Sequence, residues 1–236
     1  MRRLTCSIGL LFVLAAFARA DIIVGTNNDF NNVYPFGDSY VGEYQQVYTS
    51  AAFPGLETIT GLKFASGTAL GAGGSHTVTL TIGLSTTSAT VASMSTNYAT
   101  NKGADFTQVF SGTVMYTAAG NNTFDLSFPT SAFAYNPGLG NLLLDVLVAS
   151  NSGSLVGFDS NIDSVISRVY NSGGNGAATF ASGQGLVTDF VVTPSRVPEP
   201  TSVLLLVSVV ALLGTALRRR IALPVVPKPA DFGADL

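Results

Sequence analysis

Residues 76–84 alternate without interruption: Val78, Leu80, Ile82 and Leu84 are apolar, while Thr77, Thr79 and Thr81 are polar. A period of two sends one set to each face of a β-strand, and no helix can bury that pattern on one side. Residues 123–128 repeat it, with Phe124, Leu126 and Phe128 on one face and Asp125 on the other. Further strand candidates are residues 21–25, 44–49, 58–65, 106–110, 113–116, 142–149, 165–170 and 186–192. Between them stand turn signals such as Asn136-Pro137-Gly138, Asn151-Ser152-Gly153 and Asn171-Ser172-Gly173-Gly174. Leu142-Leu143-Leu144 is continuous rather than alternating, as a central strand buried on both faces requires. No segment of residues 21–195 shows an apolar stripe at helical spacing. Short strands at this spacing, with no repeat of solenoid or propeller length, predict an all-β fold: one antiparallel β-sandwich, of jelly-roll type.

The two ends of the chain follow other rules. Arg2 and Arg3 precede a ten-residue apolar stretch at residues 8–17 (IGLLFVLAAF). Ala18 and Ala20 then stand at −3 and −1 of a cleavage point before Asp21. Ten helical residues span about 15 Å, half a bilayer core, so residues 1–20 read as a signal peptide for signal peptidase rather than an anchor. Cys6, the chain's one cysteine, leaves with that segment, and neither disulfide nor thiol chemistry remains. At the other end, residues 201–217 (TSVLLLVSVVALLGTAL) are seventeen positions without a charge. That is about 25 Å of helix, the short limit for a transmembrane span. Arg218, Arg219 and Arg220 follow and by the positive-inside rule stay cytoplasmic, leaving residues 21–200 on the far side.

Val197-Pro198-Glu199-Pro200 stands immediately before that span. Pro-Glu-Pro, a short apolar helix and an arginine cluster, in that order at the C-terminal end of an exported chain, resemble the PEP-CTERM sorting signal, here residues 196–220. The resemblance implies processing by exosortase, a membrane-embedded cysteine transpeptidase of Gram-negative bacteria that make exopolysaccharide. It also implies an inner-membrane-anchored precursor that ends at the cell surface or in the extracellular, biofilm-associated matrix. Physically, the two prolines deny helix to the preceding backbone and hold it extended beside the membrane. The linker of residues 195–200 keeps the domain near the bilayer until it is cut. A tail at residues 221–236, with Pro224, Pro227 and Pro229, departs from the family pattern, which ends soon after the arginines. Within the domain, Tyr44-Gln45-Gln46-Val47-Tyr48, Thr58-Ile59-Thr60-Gly61-Leu62, Gly83-Leu84-Ser85-Thr86-Thr87, Asn141-Leu142-Leu143-Leu144-Asp145 and Ser167-Arg168-Val169-Tyr170 resemble a group of jelly-roll-like PEP-CTERM proteins. That group brings no activity with it.

Charge narrows the partners. The chain is formally −3, yet residues 21–195 hold only Lys63, Lys102 and Arg168 against eleven carboxylates, a formal −8. Such a domain repels nucleic acid and anionic lipid. Ser, Thr and Asn supply 55 of those 175 residues, which predicts a polar but uncharged exterior.

Candidate chemistry is sparse. Gly37-Asp38-Ser39 resembles the nucleophile block of GDS-type esterases, but the only histidine is His76, and position 73, where an Asp-x-x-His would begin, is Gly. A turn is the better reading. Gly71-Ala72-Gly73-Gly74 lacks the Lys-Ser/Thr of a phosphate loop and reads as a hairpin loop. In Asp159-Ser160-Asn161-Ile162-Asp163, the oxygens of Asp159, Asn161 and Asp163 could converge on Ca²⁺. Ser164 and Tyr170 break the EF-hand pattern, and the alternative is a solvated acidic turn. The run of residues 27–32 (NNDFNN) is a weaker case of the same kind. With one His and no mature Cys, no other cofactor or metal is expected. The expectation is therefore a secreted, non-enzymatic surface or matrix protein. The alternatives are a carbohydrate-binding module that uses exposed tyrosines on the exopolysaccharide, and a glycoside hydrolase with paired carboxylates in a cleft.

Overall fold

Val78, Leu80 and Ile82 are buried while Thr77, Thr79 and Thr81 are half-exposed, so the alternation is a strand with one face in the core. The computed structural model describes residues 20–26, 31–67, 72–161, 164–171 and 176–194. In chain order the strands are β1 (Ile22–Val24), β2 (Asn31–Asn32), β3 (Gly42–Tyr48), β4 (Glu57–Ser66), β5 (Ser75–Thr87), β6 (Thr107–Thr117) and β7 (Thr123–Tyr135). They continue as β8 (Asn141–Gly153), β9 (Phe158–Asn161), β10 (Ile166–Tyr170), β11 (Phe180–Ser182), β12 (Gly185–Leu186) and β13 (Thr188–Pro194). Helix among the described residues is limited to a 3₁₀ turn at Ser50–Ala52 and one α-turn, α1 (Tyr98–Asn101).

Two antiparallel sheets face each other. One runs β11-β10-β3-β8-β5-β6; the other runs β1-β13-β4-β9-β12, with β7 on β4 and β2 on β9. Tyr44, Tyr48, Leu80, Ile82, Leu142, Leu144 and Val146 from the first sheet and Ile59, Leu62, Phe64, Leu126, Phe128 and Phe190 from the second form one buried cluster. Each such side chain stabilises the fold by about 1.5–3 kcal/mol. Phe36 lies at its centre, with ring centroids 4.8 Å from Phe64, 5.4 Å from Phe128 and 5.9 Å from Phe158. Leu142, Leu143 and Leu144 are all fully buried, and β8 lies between β3 and β5, the central position their continuous pattern implied.

Several expectations are corrected. The candidates at 106–110 and 113–116 merge into one strand, β6, which starts at Thr107, because Gly112 pairs with Leu80 in the ladder instead of breaking it. The strand expected at 123–128 continues through Pro129 to Tyr135. Proline is tolerated there because β7 has a ladder partner only on its β4 side. The strand expected at 186–192 is divided between β12 and β13. Residues 159–161 of the stretch 159–163, read as a calcium loop or a solvated acidic turn, lie instead on β9, a strand buried at every position.

Over β3, β8 and β10 the outer face of the six-stranded sheet is covered by the segment that joins β5 to β6. Thr87 Oγ1 donates to Asn101 O at 2.6 Å, and Gln45 Nε2 to Tyr98 O at 3.0 Å. Tyr98 packs with Val169, Ala178 and Met94 in a second, smaller cluster. By contact the chain divides into two units, Met1–Ser195 and Arg196–Leu236, and the second lies wholly outside the described residues.

Candidate functional site

Beneath that cover lies an ionic cluster that no sequence motif announced. Pairing of β3 with β8 sets Gln45 opposite Asp145 and Glu43 opposite Leu147, so Glu43, Gln45 and Asp145 share the outer face. Lys102, just after α1, places Nζ 3.0 Å from Glu43 Oε1 and 3.1 Å from Asp145 Oδ2. Gln45 Nε2 donates to Asp145 Oδ2 at 2.6 Å, and Asn101 Nδ2 donates to Gln45 Oε1 at 2.8 Å. Tyr40 and Tyr98 hydroxyls both donate to the Glu43 carbonyl, at 2.6 and 2.7 Å. Lys102 also sits 4.7 Å from the centroid of the Phe106 ring.

The electrostatics follow from burial. Desolvation, then the hydrogen bond and charge of Asp145, push Glu43 up to about 7 against the opposing pull of Lys102. For Lys102, burial works against its charge, but Asp145 and Glu43 outweigh it and raise its pKa. The two carboxylates thus share one ammonium. Glu43 and Asp145 both contact Lys102 Nζ, which ties the β5–β6 segment to the sheet. The sequence signal that could have found them was Asp145 itself, a carboxylate in a strand expected to be buried on both faces.

The calcium candidates are placed otherwise than a solvated turn would place them. Asp159 and Asn161 are fully buried on β9, and Asp163 lies outside the described residues. β2 pairs with β9, Asn31 opposite Asp159, so the described part of each oxygen-rich run lies beside the other. No group of three or more His, Cys, Asp or Glu gathers among the described residues.

Gly37-Asp38-Ser39 is a turn: Asp38 Oδ1 accepts from Ser39 N at 2.7 Å and from Ser39 Oγ at 3.3 Å. A Cβ on Gly37 would stand 1.8 Å from Val156 O, so close packing explains the glycine. His76 is buried, with Nδ1 2.7 Å from Ser154 O and Nε2 against Asn151 Oδ1. Both ring nitrogens face oxygen acceptors, and the ring is held structurally. A tyrosine platform is not displayed either. Six of the eight tyrosines are buried, and the half-exposed Tyr34 and Tyr170 stack on one another at 4.9 Å.

At the proposed signal-peptide junction, Ala20 and Asp21 are exposed and β1 starts at the next residue, whereas Ala18 lies outside the described residues. Lys63 Nζ bridges Asp21 at 2.9 Å and Asp189 at 3.0 Å. The hydrogen bond to Asp21 raises the Lys63 pKa, burial opposes it, and Asp189 adds to the rise. Val197, Pro198, Glu199, Pro200, Arg218, Arg219 and Arg220 lie outside the described residues, as does the proposed span at 201–217. No helix among the described residues is long and apolar enough to cross a membrane. No family model matches the chain, and no curated protein or solved structure matches it.

Proposed function

We propose that this chain is the precursor of an exported, non-enzymatic protein of the cell surface or exopolysaccharide matrix, sorted by exosortase through residues 197–220. The observation that carries the reading is the ordered signal itself: Val197-Pro198-Glu199-Pro200, an uncharged seventeen-residue span, and Arg218 to Arg220. Two features of the domain are in keeping with it. Among the described residues the first strand begins at Ile22, one residue after the proposed signal-peptidase cut. The conspicuous carboxylate pair is occupied by its own lysine and glutamine, an arrangement that suits holding a segment in place. We read the sandwich as a jelly-roll variant, on the ground that the chain changes sheet at most connections from β3 to β10. Polysaccharide contact, in this reading, is not made by a tyrosine platform, because six tyrosines are internal.

Mass spectrometry of the protein released by the exporting cell tests the reading. The expected N-terminus is Asp21 and the expected C-terminus falls within residues 198–201. A released chain still carrying residues 204–217 would overturn it.

A further inference from the structure

A β-strand at the edge of a sheet offers unpaired N–H and C=O groups to any other strand, and folded proteins blunt such edges by shortness, charge, proline or cover. Most edges of this sandwich obey that rule. β1 and β11 have three residues each and β12 has two. β7 is long but carries Asp125 and Pro129. β6 is different. It ends the six-stranded sheet, runs for eleven residues, Thr107–Thr117, and contains neither a charge nor a proline (TQVFSGTVMYT). Among the described residues its only ladder partner is β5. Toward the opposite sheet, the Val109 carbonyl accepts from Ser131 Oγ on β7 at 3.2 Å, and the inward rings of Phe110 and Tyr116 pack on Phe128 and Phe158. Beyond that carbonyl Ser111, Thr113 and Thr117 are exposed, and Met115 is 77% exposed.

The electrostatics single out the same strip. Between Lys63 and Lys102, and again between Asp105 and Asp125, the sequence holds no Asp, Glu, Lys or Arg. β5 and β6 therefore present a neutral outer face, on which Thr79 and Thr113 hydroxyls meet at 2.8 Å and Ser75 and Thr117 at 3.0 Å. Two copies of a domain at formal −8 repel one another wherever carboxylates come within a screening length of about 8–10 Å. The β6 edge is where two copies can meet with no ionic group on either strand.

We propose that β6 is a self-association edge: two copies of this chain pair β6 with β6, antiparallel, about a twofold axis perpendicular to the sheet. The occupant is a second copy because the edge is its own complement. An antiparallel ladder maps onto itself under a twofold, and the uncharged strand meets an identical uncharged strand. The result is a closed dimer in which the six-stranded sheet of one copy continues into that of the other. An isologous contact of this kind stops at two copies and does not grow into a fibre.

Geometry also defines the test. A twofold perpendicular to the sheet keeps outward residues opposite outward residues, so Ser111, Thr113 and Met115 face one another across the seam. Directly opposed residues in an antiparallel pair have Cβ atoms about 4.5–5.5 Å apart, close enough for a disulfide after small adjustment. The full-length chain in detergent, with Cys6→Ser, is given Ser111→Cys, Thr113→Cys or Met115→Cys. Each is oxidised alone and in pairwise mixtures. The expected result is a covalent dimer from one outward position or from one neighbouring pair, and none from Thr193→Cys, an exposed residue on β13. Separately, analytical ultracentrifugation should find the wild-type chain dimeric and Thr113→Lys monomeric, with the same far-ultraviolet circular dichroism. Absence of disulfide from every β6 position overturns the proposal, as does a dimer that persists in folded Thr113→Lys. Should Thr113→Lys fail to fold, the cysteine series decides alone.

Discussion

At the scale of single residues, Glu43 decides how the domain responds to pH. The folded chain holds its proton up to about 7, whereas an unfolded glutamate releases it near 4.5. A group whose pKa is raised by folding adds stability that is complete below the unfolded value and is lost as pH climbs through the folded one. The groups that face its carboxyl are Asp145 on β8 and Lys102 beside α1, while the hydroxyls of Tyr40 and Tyr98 donate to its backbone carbonyl. Lys102 stays charged throughout this range, so the cluster passes from neutral to a net negative charge as Glu43 ionises. The thermal midpoint should therefore fall from pH 5 to pH 8, and Glu43→Gln, which titrates nothing, should flatten that slope. A variant with the wild-type slope would remove Glu43 from the explanation. Sequence could not have shown this pairing. Glu43 and Asp145 are brought together by the register of β3 on β8, and register leaves no mark on composition or alternation.

At the scale of elements, β3 shows what alternation reveals and what it hides. Tyr44 and Tyr48 are apolar-facing, as the period of two requires, yet Gln46 lies between them on the same inward face and is fully buried. It is tolerated because each polar atom is used. Oε1 accepts from Tyr44 Oη at 2.6 Å and from Leu186 N at 2.7 Å, and Nε2 donates to Leu186 O at 2.8 Å. One side chain thus joins the six-stranded sheet to β12. Gln46→Leu keeps the volume but takes the partner from the Tyr44 hydroxyl and Leu186 N, while Leu186 O keeps the Thr188 hydroxyl at 3.0 Å. At about 1–3 kcal/mol for each buried group left unsatisfied, the expected loss is ~2 kcal/mol or more, measured by urea unfolding. A loss below about 1 kcal/mol would mean that water or a rearranged β12 replaces the amide. The same limit explains β9. Asp159-Ser160-Asn161 reads as a turn because its residues are polar, and only the pairing with β2, β4 and β12 shows a buried strand. The long strands β5, β7 and β8 were legible because an apolar face is written along them. β2, β11 and β12, of two or three residues, are too short to carry a period.

At the scale of the whole molecule, charge is partitioned along the chain in a way that makes processing visible without sequencing. Residues 1–20 contain three arginines and no acid, so their loss alone takes the formal charge from −3 to −6. Residues 201–236 contain Arg218, Arg219, Arg220 and Lys228 against Asp231 and Asp235, so their loss alone gives −5. Loss of both gives −8, all of it on the folded domain and its short linker. On the proposed processing route, precursor, the two half-processed forms and the released protein would therefore be four distinct charge states of one fold. Native isoelectric focusing should resolve them, with the released protein the most acidic. A permanent single-pass protein would stop at −6 and never leave the membrane fraction. The −8 species in the medium requires both cuts, and an accumulating −5 species would show that the C-terminal cut does not wait for the signal peptide to leave. On the proposed route the ordering matters physically, because residues 197–200 would reach the far side of the membrane only after the domain before them had crossed. The −6 form should therefore precede the −8 form in a pulse-chase, and accumulation of −5 ahead of −6 would contradict the sorting route.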